Sequence, residues 1–264
     1  MQDGYFATVT ITSGPVGEKI KYYVPGKKAP RSIREREADL RKQLDNQQER
    51  IRHLARLLNA NYPRTHGCSL MLSYSDEGLR TIGIEHYDPQ DPEQWDRVML
   101  AADKAISLWI RRARNACRKA GIELRCIYFT SDLEWNRQAE TYLHTRIHHH
   151  LIVNPEAAEI CCAAWHAGNT GIRRLRAEAD HSDLAEYLVK QCRRPRKNWE
   201  TYHPTRNLRK PKRSAPRIVP SGREVQPPRG ASLVYRSQFE PGRPQYIRYI
   251  LPPDASENGD GVIC

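Results

Sequence analysis

Residues 146–153 of the chain, RIHHHLIV, place three consecutive histidines in a stretch that is otherwise typical of a buried β-strand. Side chains on a strand alternate between its two faces, so His148 and His150 share one face while His149 points to the other. Two imidazoles at positions i and i+2 of a strand can bind one metal ion together. His149 faces away from that pair and is expected to pack against a helix. The pattern therefore predicts a two-histidine metal site on one side of a sheet.

A carboxylate is expected beside the two histidines, because two neutral nitrogens alone bind a hard cation weakly. The preceding segment, residues 123–134, supplies Asp132 and Glu134, which lie on the same face of a predicted strand. A hairpin that joins this segment to residues 144–153 can bring either acid to the histidines, and the residues themselves leave the choice open. The competing interpretation is a surface cluster of histidines without a function.

A second candidate pair, Tyr187 and Lys190, lies in the segment AEYLVKQ. Positions i and i+3 share one face of a helix, so the hydroxyl and the ammonium can act at the same place. Because the ordinary pKa of a tyrosine is about 10, its hydroxyl is a poor nucleophile at neutral pH. A neighbouring ammonium and a metal-polarised phosphate both make its attack easier. The alternative is a tyrosine that packs its ring under the sheet while the lysine stays solvated.

The overall charge indicates an anionic partner. The 264 residues carry a formal net charge of +12, which is typical of proteins that bind nucleic acid or anionic membranes, although a merely soluble basic surface also explains it. The densest basic run, residues 193–217, has ten Lys and Arg against one acid and is rich in proline. Because membrane binding needs a basic amphipathic helix, this run favours nucleic acid. The predicted phosphate contacts are the first basic residues of the run: Arg193, Arg194, Arg196 and Lys197.

Cellular location is predicted from what the sequence lacks. No apolar run approaches the roughly 18 residues of a membrane-spanning helix, and no signal-like segment follows Met1. Seven scattered cysteines without a CxxC pair are typical of reduced thiols in a cytoplasm. We therefore expect a cytoplasmic protein without a membrane partner. A zinc-stabilised protein is disfavoured, because no cysteine accompanies the histidines at ligand spacing.

Hydrophobic patterning predicts an α+β fold. The longest helix of the core begins with Asp91 as its cap and Pro92 at the first helical position, and Gly121 ends it. In chain order the elements are a strand at 68–75, a helix at 92–120, strands at 123–132 and 144–153, a helix at 155–165, a strand at 171–178 and a helix at 182–192. This β-α-β-β-α-β order predicts a ferredoxin-like antiparallel sheet, the split βαβ arrangement, with the histidines on a central strand.

The two ends of the chain are predicted to lie outside this core. Strands at 5–12 and 19–26 precede a long charged helix at 31–62, whose apolar stripe fits packing on the main domain better than a coiled-coil seam. That stripe consists of Ile33, Leu40, Leu44, Ile51, Leu54 and Leu58. Two late strands are expected at 232–239 and 245–251. The predicted regions are an N-terminal region (1–62), a core domain (63–193) and a basic, proline-rich C-terminal extension (194–264).

Taken together, these motifs resemble the HUH endonuclease superfamily, and specifically its rolling-circle replication initiators. Those proteins pair a histidine-hydrophobic-histidine strand with a downstream tyrosine, usually as Y-x-x-K. His148 and His150 match the two ligand positions, Tyr187 the nucleophile and Lys190 the lysine, while His149 replaces the usual hydrophobic residue. Further segments resemble replication proteins of phage-like and integrated bacterial mobile elements: FTSDLEW, IHHHLIVN, LAEYLVKQCRR, TRNLRKP and PQYIRYI.

The resemblance implies an enzyme that nicks single-stranded DNA at a replication origin. His148, His150 and, by similarity, Asp132 would hold Mg²⁺ or Mn²⁺. Tyr187 would attack the scissile phosphate to give a 5′-phosphotyrosine and a free 3′-OH, with Lys190 steadying the developing charge. Host helicase and polymerase are further partners that such an activity implies.

Three rival functions stay open at the level of sequence. Within the same chemistry they are a conjugative relaxase, whose tyrosine usually precedes the histidines, and a single-tyrosine transposase, which is usually shorter. From a different class, the rival is a non-catalytic basic DNA-binding protein with structural histidines.

Overall fold

A computed structural model describes residues 4–26, 38–64, 66–193, 199–238 and 243–253, with the side chains of 38–45 left out. Within these ranges the fold is α+β, with two antiparallel sheets and five helices. The chain forms two compact units. Unit 1 comprises 1–63, 178–182 and 209–264, and unit 2 comprises 64–177 and 183–208.

The sheet of unit 2 carries the three histidines. Its strands are β3 (Cys68–Ser73), β4 (Cys126–Asn136), β5 (Thr141–Val153), β6 (Thr170–Arg174) and β7 (His203–Pro204). Their order is β6-β3-β5-β4-β7, and every neighbouring pair is antiparallel. The histidine strand β5 therefore lies in the middle of the sheet, where its backbone is hydrogen-bonded on both sides.

Four helices follow the strands of unit 2: α2 (Asp76–Thr81), α3 (Pro92–Lys119), α4 (Pro155–Ala163) and α5 (Ser182–Lys190). The predicted start of α3 is confirmed, because the Asp91 carboxylate accepts a hydrogen bond from the Glu93 N–H at 3.0 Å. The predicted stop is confirmed as well. Gly121 follows the last turn of the helix with φ +73°, a left-handed conformation that residues with a side chain rarely adopt. The short helix α2 was not predicted.

Helix α3 covers one face of the sheet. Its buried stripe includes Val98, Ala102 and Ile106, which pack in one cluster with Ile147 and Leu151 of β5. Full burial of each Val, Ile or Leu side chain in this cluster stabilises the fold by roughly 1.5–3 kcal/mol. The face of β5 that α3 covers is therefore part of the hydrophobic core, and a functional site on β5 has to lie on the opposite face.

Unit 1 joins the two ends of the chain in one sheet. Its strands β1 (Tyr5–Ser13) and β2 (Val16–Val24) form a hairpin, and β11 (Gln245–Ile250) pairs with β2. The remaining strands are β8 (Lys212–Arg213), β9 (Arg217–Val219) and β10 (Ser232–Arg236). The sheet order is β10-β11-β2-β1-β8, and β9 also pairs with β1. The regions predicted as separate at the two ends therefore form one unit, and residues 199–208 belong to unit 2 instead.

The long charged helix is α1 (Ala38–Asn61), which packs on β1. Ile51, Leu54 and Leu58 of the predicted stripe are buried, whereas Ile33 lies outside the described residues. Nowhere in the described ranges is a helix both long and apolar enough to cross a membrane.

Candidate active site

The predicted alternation of the three histidines is confirmed. His148 and His150 point to the same side of β5, and their Nε2 atoms lie 3.0 Å apart. Ile147 and Leu151 belong to the core on the other side, together with α3. The neighbouring strands bring Ser73 and Ser131 opposite His148. Two imidazole nitrogens thus converge on one point at the face that α3 does not cover.

Both imidazoles of this pair are neutral at pH 7. Burial is the main cause that lowers the pKa of His148, and burial followed by the nearby His148 lowers the pKa of His150 to about 3. Nδ1–H of His148 donates a hydrogen bond to the carbonyl of Arg146 at 2.9 Å. That hydrogen bond leaves the lone pair of His148 on Nε2, the atom that faces His150.

The spacing of the two nitrogens fits a shared metal ion. Two nitrogens bound at right angles, each about 2.1 Å from one ion, lie about 3 Å apart, and the observed separation is 3.0 Å. Neutral imidazole is also the form that binds metals. Among the described residues, however, no three His, Cys, Asp or Glu side chains are clustered closely enough to hold an ion by themselves.

The two candidate carboxylates differ in what they already bind. Asp132 is buried, with 1% of its side chain exposed, and Arg193 donates to it through Nε and, at 2.6 Å, through Nη2. Glu134 is exposed and has no hydrogen bond or ion pair within the described part of the chain. Both carboxylates raise the pKa of His148, and Glu134 has the larger effect. Glu134 is therefore the carboxylate that is free to turn toward the histidines.

The surroundings of Asp132 form a separate cluster at the start of α3. His144 lies 3.4 Å from the Asp132 carboxylate and stacks on Trp95, with ring centroids 3.2 Å apart. Arg193 reaches the same cluster, because it also donates to Asp96 at 2.8 Å. The hydrogen-bonding capacity of Asp132 is thus directed to Arg193 and not to the histidine pair.

His149 lies in a buried hydrogen-bond chain on the α3 side. The Thr130 hydroxyl donates to Asp103 at 3.1 Å and therefore accepts from Nδ1 of His149, also at 3.1 Å. Nε2 then accepts from the Tyr74 hydroxyl at 2.9 Å. Burial lowers the pKa of His149 to about 3, so this ring is neutral and structural.

Replacing His149 by Ala is expected to destabilise unit 2 by about 3 kcal/mol, because it leaves a cavity and two buried hydroxyls without their partner. All five tryptophans (95, 109, 135, 165 and 199) lie in unit 2, so urea denaturation followed by tryptophan fluorescence measures this unit. His166→Ala is the matched control. Equal stability of the two variants would contradict a structural role for His149.

Helix α5 carries the predicted nucleophile and ends beside the histidine face. The Ser131 hydroxyl, opposite His148 in the strand register, donates to the carbonyl of Gln191 at 2.6 Å, and the neighbouring Gln191 side chain partly offsets the lowering of the His150 pKa. Tyr187 lies one helical turn earlier, and its carbonyl accepts from the Gln191 N–H at 3.3 Å. The ring of Tyr187 is 44% exposed. Tyr187 is thus one turn away from Gln191, which is hydrogen-bonded to Ser131 next to His148.

The two further residues beside Tyr187 are Lys190 and Tyr142. Lys190 forms an ion pair with Glu186 at 2.6 Å, and both side chains are about half exposed. Burial raises the pKa of Tyr142, Lys190 lowers it and Tyr187 raises it, so the three groups are electrostatic neighbours. The sequence alone had not indicated Gln191 and Ser131, although the i+4 spacing of Gln191 from Tyr187 is a usable signal.

Arg193 has a structural role that the sequence did not predict. Its guanidinium lies over the ring of Trp95, in addition to its bonds with two aspartates. The other predicted phosphate contacts, Arg194, Arg196 and Lys197, lie outside the described residues and stay predictions.

The substitution Arg193→Gln is expected to destabilise unit 2 by about 3–5 kcal/mol, because it leaves the buried Asp132 carboxylate unpaired. The measurement is urea denaturation with tryptophan fluorescence. Arg97→Gln, an exposed position of the same charge on α3, is the control and should change stability little. If Arg193→Gln unfolds at the same urea concentration as the control, the ion pair does not stabilise unit 2.

Comparison with known proteins gives no relative: no protein-family model, curated protein or solved structure matches the chain. The function is therefore inferred from the geometry of the histidine pair and of α5.

Proposed function

We propose that this protein is an HUH-type endonuclease that nicks and rejoins single-stranded DNA at a replication origin, and so starts rolling-circle replication. One observation carries the proposal. The Nε2 atoms of His148 and His150 converge at 3.0 Å, and the helix that holds Tyr187 ends just before Gln191, whose carbonyl accepts a hydrogen bond from Ser131, opposite His148. A tyrosine nucleophile beside a two-histidine metal site is the arrangement that this chemistry requires.

The topology of unit 2 supports the same proposal. Counting only the strands of the predicted core, the order is β6-β3-β5-β4. Helix α3 connects β3 to β4, and α4 connects β5 to β6. This connectivity agrees with a ferredoxin-like split βαβ core with the histidine strand in the middle.

Three side chains would hold the metal: His148, His150 and one carboxylate. Of the two acids, Glu134 is favoured over Asp132, because Arg193 already occupies the Asp132 carboxylate. The ion, Mg²⁺ or Mn²⁺, supplies polarisation of the scissile phosphate when it is bound. Imidazole nitrogens that are neutral at pH 7 are ready to bind it without first losing a proton.

The covalent step belongs to Tyr187. Its phenolic oxygen forms a bond to phosphorus and loses its proton to solvent, while the bond from phosphorus to the 3′ oxygen breaks. The 3′ oxygen takes up a proton and leaves as the free 3′-OH, and the 5′ end stays on the tyrosine. Lys190, on the same helix face, would stabilise the negative charge. The reverse reaction rejoins the strand.

The partners that follow are single-stranded origin DNA and, for strand displacement and synthesis, a host helicase and polymerase. A cytoplasmic location agrees with both. The high positive charge of the chain supports the DNA partner, because phosphate contacts supply much of the affinity of such proteins.

A non-catalytic DNA-binding protein is the second candidate. The observation that favours it is the lack of a complete three-ligand cluster among the described residues. The two functions differ in one product, which is the covalent link between protein and DNA.

Covalent capture decides between them. The full chain is incubated with labelled single-stranded fragments that tile its own genetic element, in Mg²⁺, in Mn²⁺ or in EDTA, and is run on a denaturing gel. We expect a labelled protein band with Mg²⁺ or Mn²⁺ and none with EDTA or with duplex fragments. Binding in native gels without any covalent band would assign the chain to the non-catalytic class.

A further inference from the structure

A groove on the opposite face of the unit 2 sheet has no role in the proposed nicking reaction. It is a cavity of about 970 Å³ between the C-terminal half of α3 and residues 200–207. Tyr128 lines it from β4, opposite Leu151 in the strand register and hence on the α3 face. His148 and His150 point to the other face, so the groove and the candidate active site are distinct.

Four arginines line this groove: Arg111, Arg114, Arg118 and Arg206. The first three are at positions i, i+3 and i+7 of α3, which forms one stripe about 10 Å long, and Arg206 lies on the facing wall. All four are exposed. None of their guanidiniums has an ion pair or hydrogen bond within the described part of the chain, although Glu123 and Glu200 also line the groove. These cations are therefore available to an anionic ligand.

An aromatic pair lies in the same groove. His203 stacks on Tyr128, with ring centroids 4.9 Å apart and 21° between the planes. Polar side chains contact both rings. His203 lies 3.5 Å from Asp103 and 3.7 Å from Glu200, and the Tyr128 hydroxyl lies 3.4 Å from the Ser107 hydroxyl. Tyr128 is buried, whereas 28% of the His203 side chain is exposed. The groove thus combines free arginines with a partly exposed imidazole that Tyr128 supports, and single-stranded nucleic acids bind such sites through phosphates and bases.

We propose that this arginine groove, defined by Arg111, Arg114, Arg118 and Arg206 around Tyr128 and His203, binds a short segment of single-stranded nucleic acid. A linear polyanion is favoured over a compact nucleotide, because the three arginines of α3 are spread along the helix and not gathered around one point. A duplex is disfavoured, because its bases are stacked inside and cannot reach the Tyr128–His203 pair. The binding does not require the nicking reaction and goes beyond it.

The test is the salt dependence of binding. Affinity for an oligothymidylate of about 15 nucleotides is measured by fluorescence anisotropy in EDTA, where no covalent product forms. The groove variant replaces Arg111, Arg114 and Arg118 by Gln. Each lost phosphate contact lowers the salt slope by about 0.7, so we expect the slope to fall by about 2. The matched control replaces Lys104, Arg112 and Lys119 by Gln, which removes the same charge from exposed positions of α3 outside the groove.

An equal fall in slope for both triple variants, or no fall for either, overturns the proposal. The proposal also fails if the groove variant loses affinity for a duplex of equal length as strongly, or if a nucleoside triphosphate displaces the oligothymidylate from the wild type but not from the groove variant. Should the groove variant unfold, Arg114→Gln alone is expected to lower the slope by about 0.7. Because the nicking reaction is measured separately by covalent capture, failure of one proposal leaves the other intact.

Discussion

Replacing Tyr187 by Phe is expected to reduce the covalent DNA adduct to background and to leave affinity for single-stranded DNA within about twofold. The substitution removes one hydroxyl from a ring that is 44% exposed, so no core packing is lost, while the only atom that can bond to phosphorus is gone. Adduct formation is measured on denaturing gels, and affinity by anisotropy in EDTA.

The controls for this experiment are two other tyrosines. Tyr142, an electrostatic neighbour of Tyr187, and Tyr202, which packs against Phe129, are each replaced by Phe and should keep the adduct. An adduct that persists in Tyr187→Phe but disappears in one of these variants would move the nucleophile to that residue. The same gels therefore identify the reacting tyrosine whatever the outcome.

Substitution of either metal-site histidine by Ala is expected to lower metal-dependent cleavage by at least about 100-fold, because removal even of groups that only orient metal ligands lowers activity 10–100-fold. Since the two rings face each other and not the α3 core, the unfolding transition of unit 2 should change much less than in His149→Ala. Cleavage is followed at increasing Mn²⁺ concentration, and stability by tryptophan fluorescence. If all three histidine variants lose activity and stability alike, the division of roles between the two faces is wrong.

Two isosteric substitutions identify the carboxylate of the site. With Glu134 as the third ligand, Glu134→Gln raises the Mn²⁺ concentration needed for cleavage and leaves stability unchanged. Asp132→Asn weakens the bonds with Arg193 and so lowers stability while the metal requirement stays the same. The reverse result would restore Asp132, the choice that the family resemblance favours.

Local sequence patterns predicted much of unit 2, because its elements depend on short-range chemistry. Alternation alone separated His149 from His148 and His150, and the Asp91 cap and Gly121 fixed the ends of α3. The i and i+3 spacing likewise placed Tyr187 and Lys190 on one helix.

Apart from the short helix α2, the features that the sequence did not predict depend on contacts between distant parts of the chain. The Arg193–Asp132 ion pair joins residues 61 positions apart, and the Ser131–Gln191 hydrogen bond joins residues 60 positions apart. A periodic pattern in the sequence cannot predict such a pairing. The basic run 193–217 was predicted to bind DNA from its first residue, but that residue, Arg193, forms an ion pair with Asp132 inside unit 2. The arginine groove was not predicted either, because its two walls, α3 and residues 200–207, are far apart in the sequence.

The sheet of unit 1 has a consequence for the order in which the chain folds. The β1–β2 hairpin is synthesised before unit 2, yet among the described residues the edge of β2 that faces away from β1 pairs with β11, more than 200 positions later. Residues 64–177 and 183–208 are complete before that strand leaves the ribosome, and domains generally fold as units during synthesis. The hairpin must therefore wait with an open strand edge, which is a template for unwanted pairing with other chains. Unit 2 can therefore fold while the sheet of unit 1 still lacks β11, the strand that pairs with β2.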